Sequence, residues 1–346
     1  MTDSIDPPPQ ISVIIPTRNR AQSVRRSLES LCRQDFLAAH FEVIVVANAC
    51  TDDTSDAVRR FAAPFALRLH EIADAGISLA RNSGAALARG RLLVFLDDDI
   101  EPLPSALAAH AGAHAERQNL VAVGPLLTPP LRVVPGFFIE RLRALDAAYA
   151  SYLGTRDVGL DWHCMTGGNM STSTALFQCL GGFDAGIVSY GGEDYEFGCR
   201  AQKAGAEFRL LAEAGGYHHR DENSSFAEYL QRGRSAGRND VDVVRRPPEV
   251  LDRVPLGLLT RPQRLSGRLG RTLAFDYPRL GDELAQALRG VCVRLEWLRL
   301  RRIRNRLVDR LYQHWYYRVV AGRVGDGAAR VAFVASVRQR IGASVT

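Results

Sequence analysis

Residues Arg91–Glu101, RLLVFLDDDIE, run an apolar segment, Leu92–Leu96, directly into three consecutive carboxylates, Asp97, Asp98 and Asp99. The apolar run between Gly90 and the acids reads as a buried strand. Three adjacent like charges repel one another, so a fold that sets them at the end of such a strand needs a cation there. One reading is an acidic turn or a helix N-terminus, where aspartate is a favourable cap. The other is a site for a hard divalent cation such as Mg2+, which takes one or two carboxylates together with substrate phosphates. The stretch by itself leaves both open.

Upstream of it, apolar runs alternate with helical periodicity. Ile11–Pro16 (ISVIIP) and Phe41–Ala47 (FEVIVVA) are β-branched runs typical of buried strands, and a further strand is expected at Ala66–His70. Between them, helices are expected over about residues 21–34, with Val24, Leu28, Leu31 and Cys32 at helical spacing, over 54–61 and over 78–88. Strands alternating with helices imply parallel βαβ units, hence an α/β fold with a mostly parallel central sheet flanked by helices. Ligands of such sheets bind at the carboxyl ends of the strands, where Thr17, Asn48 and Asp97–Asp99 would converge. That convergence favours a functional role for the acids.

Downstream, an alanine-rich helix is expected over 104–117. It carries His110 and His114 one turn apart, which without a third ligand read as surface histidines rather than a metal pair. Proline-broken loop and strand follow to Pro135, then an amphipathic helix over 136–152, the segment WHCMTGGN at 162–169 and a helix over about 173–180. A second dense stretch, Gly181–Gly205, sets Glu193 and Asp194 after Gly191 and Gly192 at the start of a helix. The acids read either as helix caps or as the proton-accepting half of an active site. Strand Glu207–Ala212 then leads to His218 and His219, one of which would complete a metal site begun by Asp99, and to a helix over 225–237.

Composition sets limits. Apolar content of 46% and charged content of 24% are those of a globular protein. Residues 1–10 lack a signal-peptide pattern and read as a disordered leader, and no apolar run is long enough to span a bilayer. Six cysteines without a CxxC pair argue against a zinc site and for reduced thiols in the cytoplasm.

Several motifs together resemble the family 2 glycosyltransferases, which have the GT-A fold, over residues 11–240. They are SVIIPTRNR (12–20), VIVVANACTDDT (43–54), ISLARNSG (77–84) and FLDDDI (95–100). GGNMS (167–171), GGFD (181–184) and YGGEDYEFGCR (190–200) are similar to the acceptor-side segment of polypeptide N-acetylgalactosaminyl- and β-1,4-galactosyltransferases. The resemblance implies an inverting, metal-dependent hexosyl- or N-acetylhexosaminyltransferase that uses a nucleotide-sugar donor. Asp97 then lies near the ribose and Asp99 on a Mn2+ or Mg2+ ion, with His218 or His219 as its further ligand. Pro16, Thr17, Arg18, Asn48, Asp52, Arg81 and Asp98 fall in the nucleotide-sugar pocket, Asp98 without a role of its own. Asp194 becomes the catalytic base, with Glu193, Gly192 and Tyr190 on the acceptor side. Ala47 departs from the family, which often has an aspartate there, so contact with the base falls to Asn48 or Asp52. A sugar nucleotidyltransferase is the rival enzyme, but PTRNRAQS lacks the glycines of a phosphate loop. A catalytically degenerate membrane scaffold is the non-enzymatic rival, and only Ala47 favours it.

Beyond a linker at 241–262, residues 263–346 read as a basic helical region, with Leu284–Trp315 as one long amphipathic helix, intact or broken. From Arg261 onward there are 18 arginines and 6 acids, a charge of +12 that leaves −6 on the rest of a chain of net +6. Its apolar stripe either packs within the protein, leaving the arginines solvated, or docks on an anionic membrane surface. Membrane docking fits a peripheral place on the inner face of the cytoplasmic membrane and a glycan or lipid-linked saccharide acceptor in envelope polysaccharide or glycoconjugate synthesis. No base-stacking module accompanies the arginines, so nucleic acid is not an expected partner.

Overall fold

In the computed structural model, Ile11–Thr17 (β1) is buried at every position. The model describes residues 8–130, 143–144, 147, 151, 160–187, 191–219, 226–252, 254–260, 265–297, 300–325 and 327–344. Phe41–Asn48 (β2), Ala66–Ile72 (β3) and Leu92–Leu96 (β4) run parallel to β1 in the order β3-β2-β1-β4. Ile14 thus lies beside Ile44 on one side and Phe95 on the other. Helices Ala21–Leu31 (α1), Thr54–Arg59 (α2) and Ile77–Leu87 (α3) make the crossovers. Alternate strand residues face opposite sides. Ile11, Val13 and Ile15 pack with Val24, Leu28 and Leu31 of α1 on one face, while Ile44 and Val46 pack with Ala80 of α3 on the other.

Past β4 the sheet changes direction. Asn169–Ser173 (β8) is antiparallel to β4 and to Leu120–Val123 (β6), and Glu207–Leu210 (β9) closes the seven-stranded sheet parallel to β6. The hydrophobic pattern gives no sign of β8, because NMSTS is mostly polar although every residue is buried. Its partners come from Ala106–His114 (α4): Ser171 Oγ lies 2.8 Å from His110 Nδ1 and 2.9 Å from His114 Nε2, and Asn169 Oδ1 lies 3.3 Å from His110 Nε2. The two histidines are therefore not surface residues. Burial pushes both imidazoles down to about 4, which keeps them neutral as hydrogen-bonding partners of a polar strand.

Ile100–Pro102 (β5), Gly216–His218 (β10) and Leu126–Leu127 (β7) form a small second sheet, in which the β5–β10 pairing sets His218 beside Ile100. Thr174–Cys179 (α5) follows β8, and Glu193–Lys203 (α6) opens on the second acid pair.

The chain divides into two compact units. The first is Met1–Pro135, Ile139–Val188 and Glu193–Glu222, and the second is Gly136–Phe138, Ser189–Gly192 and Asn223–Thr346. The second contains helices Phe226–Val243 (α7), Leu265–Phe275 (α8), Pro278–Trp297 (α9), Arg301–Val324 (α10) and Gly327–Ser344 (α11). The amphipathic pattern around Leu284–Trp315 is thus broken between α9 and α10. α10 packs closely on α7, where a Cβ at Gly237 would lie 2.5 Å from the Tyr316 carbonyl oxygen. Within residues 245–262, Pro248–Asp252 and Pro255–Thr260 form 3-10 turns whose Val250, Leu251 and Leu256 are fully buried. The expected leader falls largely, and the expected helix over 136–152 mostly, outside the described residues. Among those residues no helix is long and apolar enough to cross a membrane, and all six cysteines are free thiols.

Candidate active site

The three aspartates that follow β4 part company at once. Asp97 donates its backbone N–H to the Gly168 carbonyl at 2.9 Å, and its Oδ1 accepts from Arg81 Nη2 at 2.7 Å. Asp98 turns inward and accepts from Thr17 Oγ1 at 2.6 Å and Arg20 Nη1 at 2.7 Å. Asp99 accepts from the same Arg20 Nη1 at 3.0 Å, and its Oδ1 lies 3.4 Å from His218 Nε2. Two arginines thus supply the cations that the acidic run calls for.

The surroundings also separate the acids electrostatically. Burial pushes Asp98 up to about 7, opposed by the Arg20 charge and reinforced by Asp99. Burial acts in the same sense on Asp99, but the hydrogen bond and charge of His218, with Arg20 behind them, hold it well below the usual carboxylate range. His219 points elsewhere: its Nε2 lies 2.7 Å from Glu101 Oε2. Of the two histidines, His218 is the one that faces the acid cluster.

Asp99 and His218 fit a divalent cation. Asp99 Oδ1 is buried and faces His218 Nε2 at 3.4 Å, an imidazole nitrogen of a common metal-ligand type. No group of three or more such ligands occurs among the described residues. A donor set this small suits Mg2+ or Mn2+, which take much of their coordination from water and substrate phosphates.

On the nucleotide side, Pro16 and Thr17 end β1 in buried positions and Arg18 is exposed. Asn48 Oδ1 accepts from Gly76 N at 3.1 Å, and Asp52 Oδ1 accepts from Thr54 N at 3.0 Å at the start of α2. Both candidates for contact with the base therefore also anchor backbone. The loops after β1 and β2 are locked together by Asn19, whose Oδ1 accepts from Thr51 N at 2.7 Å, and by Arg20 N, which donates to Thr54 Oγ1 at 2.8 Å. Sequence reasoning missed Asn19 and Arg20. The one available signal was the second arginine of PTRNR, which marks a cation near the acids but not its partners.

On the acceptor side, Gly191 and Gly192 take φ of +109° and +91°, and α6 then begins. Glu193 is 3% exposed, and its Oε1 accepts from Arg81 Nη1 at 2.7 Å. Asp194 is half-buried, and its carboxylate accepts from Tyr195 N at 2.8 Å and Gly167 N at 3.3 Å. Burial and the Glu193 charge push Asp194 up to about 7, against Arg81 and the two backbone N–H groups. Gly167 and Gly168 permit close approach, since Cβ atoms there would lie 2.8 Å from Arg81 Nη1 and 2.7 Å from Asp97 Oδ2. Asp97, Glu193 and Asp194 are thereby gathered around one arginine and one loop. Tyr190 lies outside the described residues.

Residues 12–181 match the model described as glycosyl transferase family 2. This part of the chain belongs to that family. An overlapping, later part of this family 2 glycosyltransferase, residues 153–222, matches a model described as the N-terminal domain of galactosyltransferase. Validoxylamine A glucosyltransferase of Streptomyces hygroscopicus subsp. jinggangensis is 32% identical over 232 residues, 60% of this chain and 55% of the relative. Chondroitin synthase of Escherichia coli is 25% identical over 60% of this chain and 34% of the relative. The chain thus spans about half, or less, of the length of these relatives. Among solved structures, a mannosyltransferase from Pyrobaculum calidifontis in complex with GDP-Man and Mn2+ superposes with a TM-score of 0.56 at 19% identity, covering 90% of this chain and 88% of that one. S. aureus TarS 1-349 gives 0.52 at 17% identity, covering 91% of each chain. These likenesses establish the GT-A fold.

Proposed function

We propose that this family 2 glycosyltransferase moves a sugar from a nucleotide-sugar donor to a hydroxyl of a saccharide or lipid-linked saccharide acceptor, with inversion, in cell-envelope polysaccharide or glycoconjugate synthesis. One observation carries the reading: acid motifs about a hundred residues apart in sequence meet at Arg81 and the Gly167–Gly168 loop. The printed descriptions of relatives support it, since one acts as a glucosyltransferase and a structural neighbour was solved with GDP-Man and Mn2+.

Each residue then has a definite task. Asp99 and His218 would hold Mn2+ or Mg2+, which when bound neutralises charge on the departing nucleoside diphosphate. Asp97 lies towards the ribose, and the loops that carry Pro16–Arg18, Asn48 and Asp52 line the nucleotide pocket. Asp194 takes the proton of the acceptor hydroxyl as that oxygen forms its bond to the anomeric carbon from the face opposite the diphosphate. The bond from that carbon to the diphosphate oxygen breaks, and the electron pair leaves with the nucleotide. Glu193, Gly192 and Tyr190 belong to the acceptor side. The basic region 261–346 meets an anionic surface, on the inner face of the cytoplasmic membrane, where a lipid-linked acceptor would be found.

Incubation of the protein with Mn2+ and a panel of nucleotide sugars, scored for donor hydrolysis and transfer, tests the reading. Turnover of at least one donor is expected, with Asp99→Ala losing nucleotide affinity and Asp194→Ala losing about 10²–10⁴-fold in transfer. Absence of both donor turnover and nucleotide binding in the wild type would defeat it. Normal transfer by Asp194→Ala would remove Asp194 from the role of base.

A further inference from the structure

Arg81, on α3, is among the largest fully buried side chains of the protein, at 1% exposure. Arginine is almost never buried unless it is paired. Here Nη2 donates to Asp97 Oδ1 and Nη1 to Glu193 Oε1, both at 2.7 Å, so the planar fork spans a carboxylate at the end of β4 and another at the start of α6. The Phe183 ring lies 5.5 Å from the guanidinium carbon, and Gly167 packs so closely that a Cβ there would lie 2.8 Å from Nη1. The motif resemblance puts Arg81 in the nucleotide pocket. Its burial and its two carboxylate partners suit it instead to holding other residues in place.

We propose that Arg81 is a positioning residue that couples the two halves of the site, fixing Asp97 on the donor side and neutralising Glu193 beside Asp194 on the acceptor side. The inference rests on the transferase reading for its functional meaning, but the coupling is a physical property of the chain alone. Among the described residues, the groups that act most strongly on Asp194 are Glu193 and the Tyr195 N–H of α6, Arg81 of α3, and the Gly167 N–H of the loop before β8. Removing the Arg81 charge takes away the cation bonded to Glu193 and felt by Asp194, and Asp194 must then hold its proton more tightly. Asp97 loses its lateral support in the same step.

The test uses the full chain labelled with carboxyl-13C aspartate, with the Asp194 signal identified by its loss in Asp194→Asn. In Arg81→Met the Asp194 titration midpoint is expected to rise by on the order of one pH unit. In Arg81→Lys, which keeps the charge, it is expected to stay near that of the wild type. A merely structural role would lower the folded fraction and leave the midpoint in place, and an unchanged midpoint in folded Arg81→Met overturns the proposal. If Arg81→Met does not fold, Glu193→Gln decides: a lower Asp194 midpoint supports the coupling, and an unmoved one refutes it. With any donor that the panel reveals, Arg81→Lys is expected to raise the donor KM as well as to lower kcat, because Asp97 is displaced. Failure to turn over any donor would count against the function proposed above, while the titration would still decide the coupling.

Discussion

Asp97, Asp98 and Asp99 show how little residue type alone determines. Asp97 faces Arg81, Asp98 is drawn inward by Thr17 and Arg20, and Asp99 looks towards His218. The sequence marks where the acids lie, because three carboxylates after an apolar strand are conspicuous. It does not reveal Arg20 or Arg81 as their partners, since those pairings join residues 78 and 16 positions apart that only the fold brings together. In the proposed mechanism Asp194 is the residue whose surroundings bear most directly on rate. A base must be unprotonated to accept a proton, and burial beside Glu193 pushes Asp194 up to about 7. Log kcat/KM for transfer is therefore expected to rise with unit slope on the acid side and to level off above about pH 7. A profile already flat from pH 5 upward would mean that Asp194 is ionised well below that range and that its surroundings do not tune it as described.

At the scale of elements, legibility followed chemistry. β1, β2 and β4 are legible because buried parallel strands are continuous apolar runs, and α1 is legible because Val24, Leu28 and Leu31 recur at helical spacing. β8 was illegible because its burial is satisfied by polar groups: Ser171 between two imidazoles and Asn169 against His110 and the Ala214 carbonyl. Neither a period-2 apolar pattern nor a propensity signal marks such a strand. The same network explains why His110 and His114 looked like surface residues, since their partners are supplied by an element that the pattern could not reveal. The network also makes a stability prediction. Ser171→Ala removes the hydroxyl shared by both histidines and leaves buried ring nitrogens without that partner, at a cost of about 1–3 kcal/mol. Urea unfolding should show the loss as a lower midpoint with unchanged slope. An unchanged midpoint would mean that water or a rotated imidazole replaces the hydroxyl without loss.

Across the whole molecule, the charge asymmetry remains the feature that the GT-A fold does not explain. Some of the basic excess is used internally: Arg318 meets Asp282, Arg323 meets Asp242, and Arg330 lies 4.4 Å from the centre of the Phe275 ring. The packing alternative accounts for part of the stripe, because α10 buries Val308, Leu311, Tyr316 and Val320 while other positions stay open. Leu300 and Ile303 are 46% and 54% exposed where arginine is densest in the sequence, and Arg306 and Arg310 are exposed on the same helix. Exposed apolar side chains among arginines suit shallow insertion between anionic headgroups, where each basic residue is worth about 1 kcal/mol. The full chain is expected to float with vesicles containing phosphatidylglycerol, to stay behind with pure phosphatidylcholine, and to be released by high salt. Replacing Arg306 and Arg310 with glutamine should weaken binding about thirtyfold, from roughly 1 kcal/mol for each residue. Ile303→Ser should weaken it without changing its salt dependence. Equal flotation with neutral and anionic vesicles would rule out an electrostatic dock, and failure to float with either would leave the arginines as a solvated surface and remove the membrane from the proposed function.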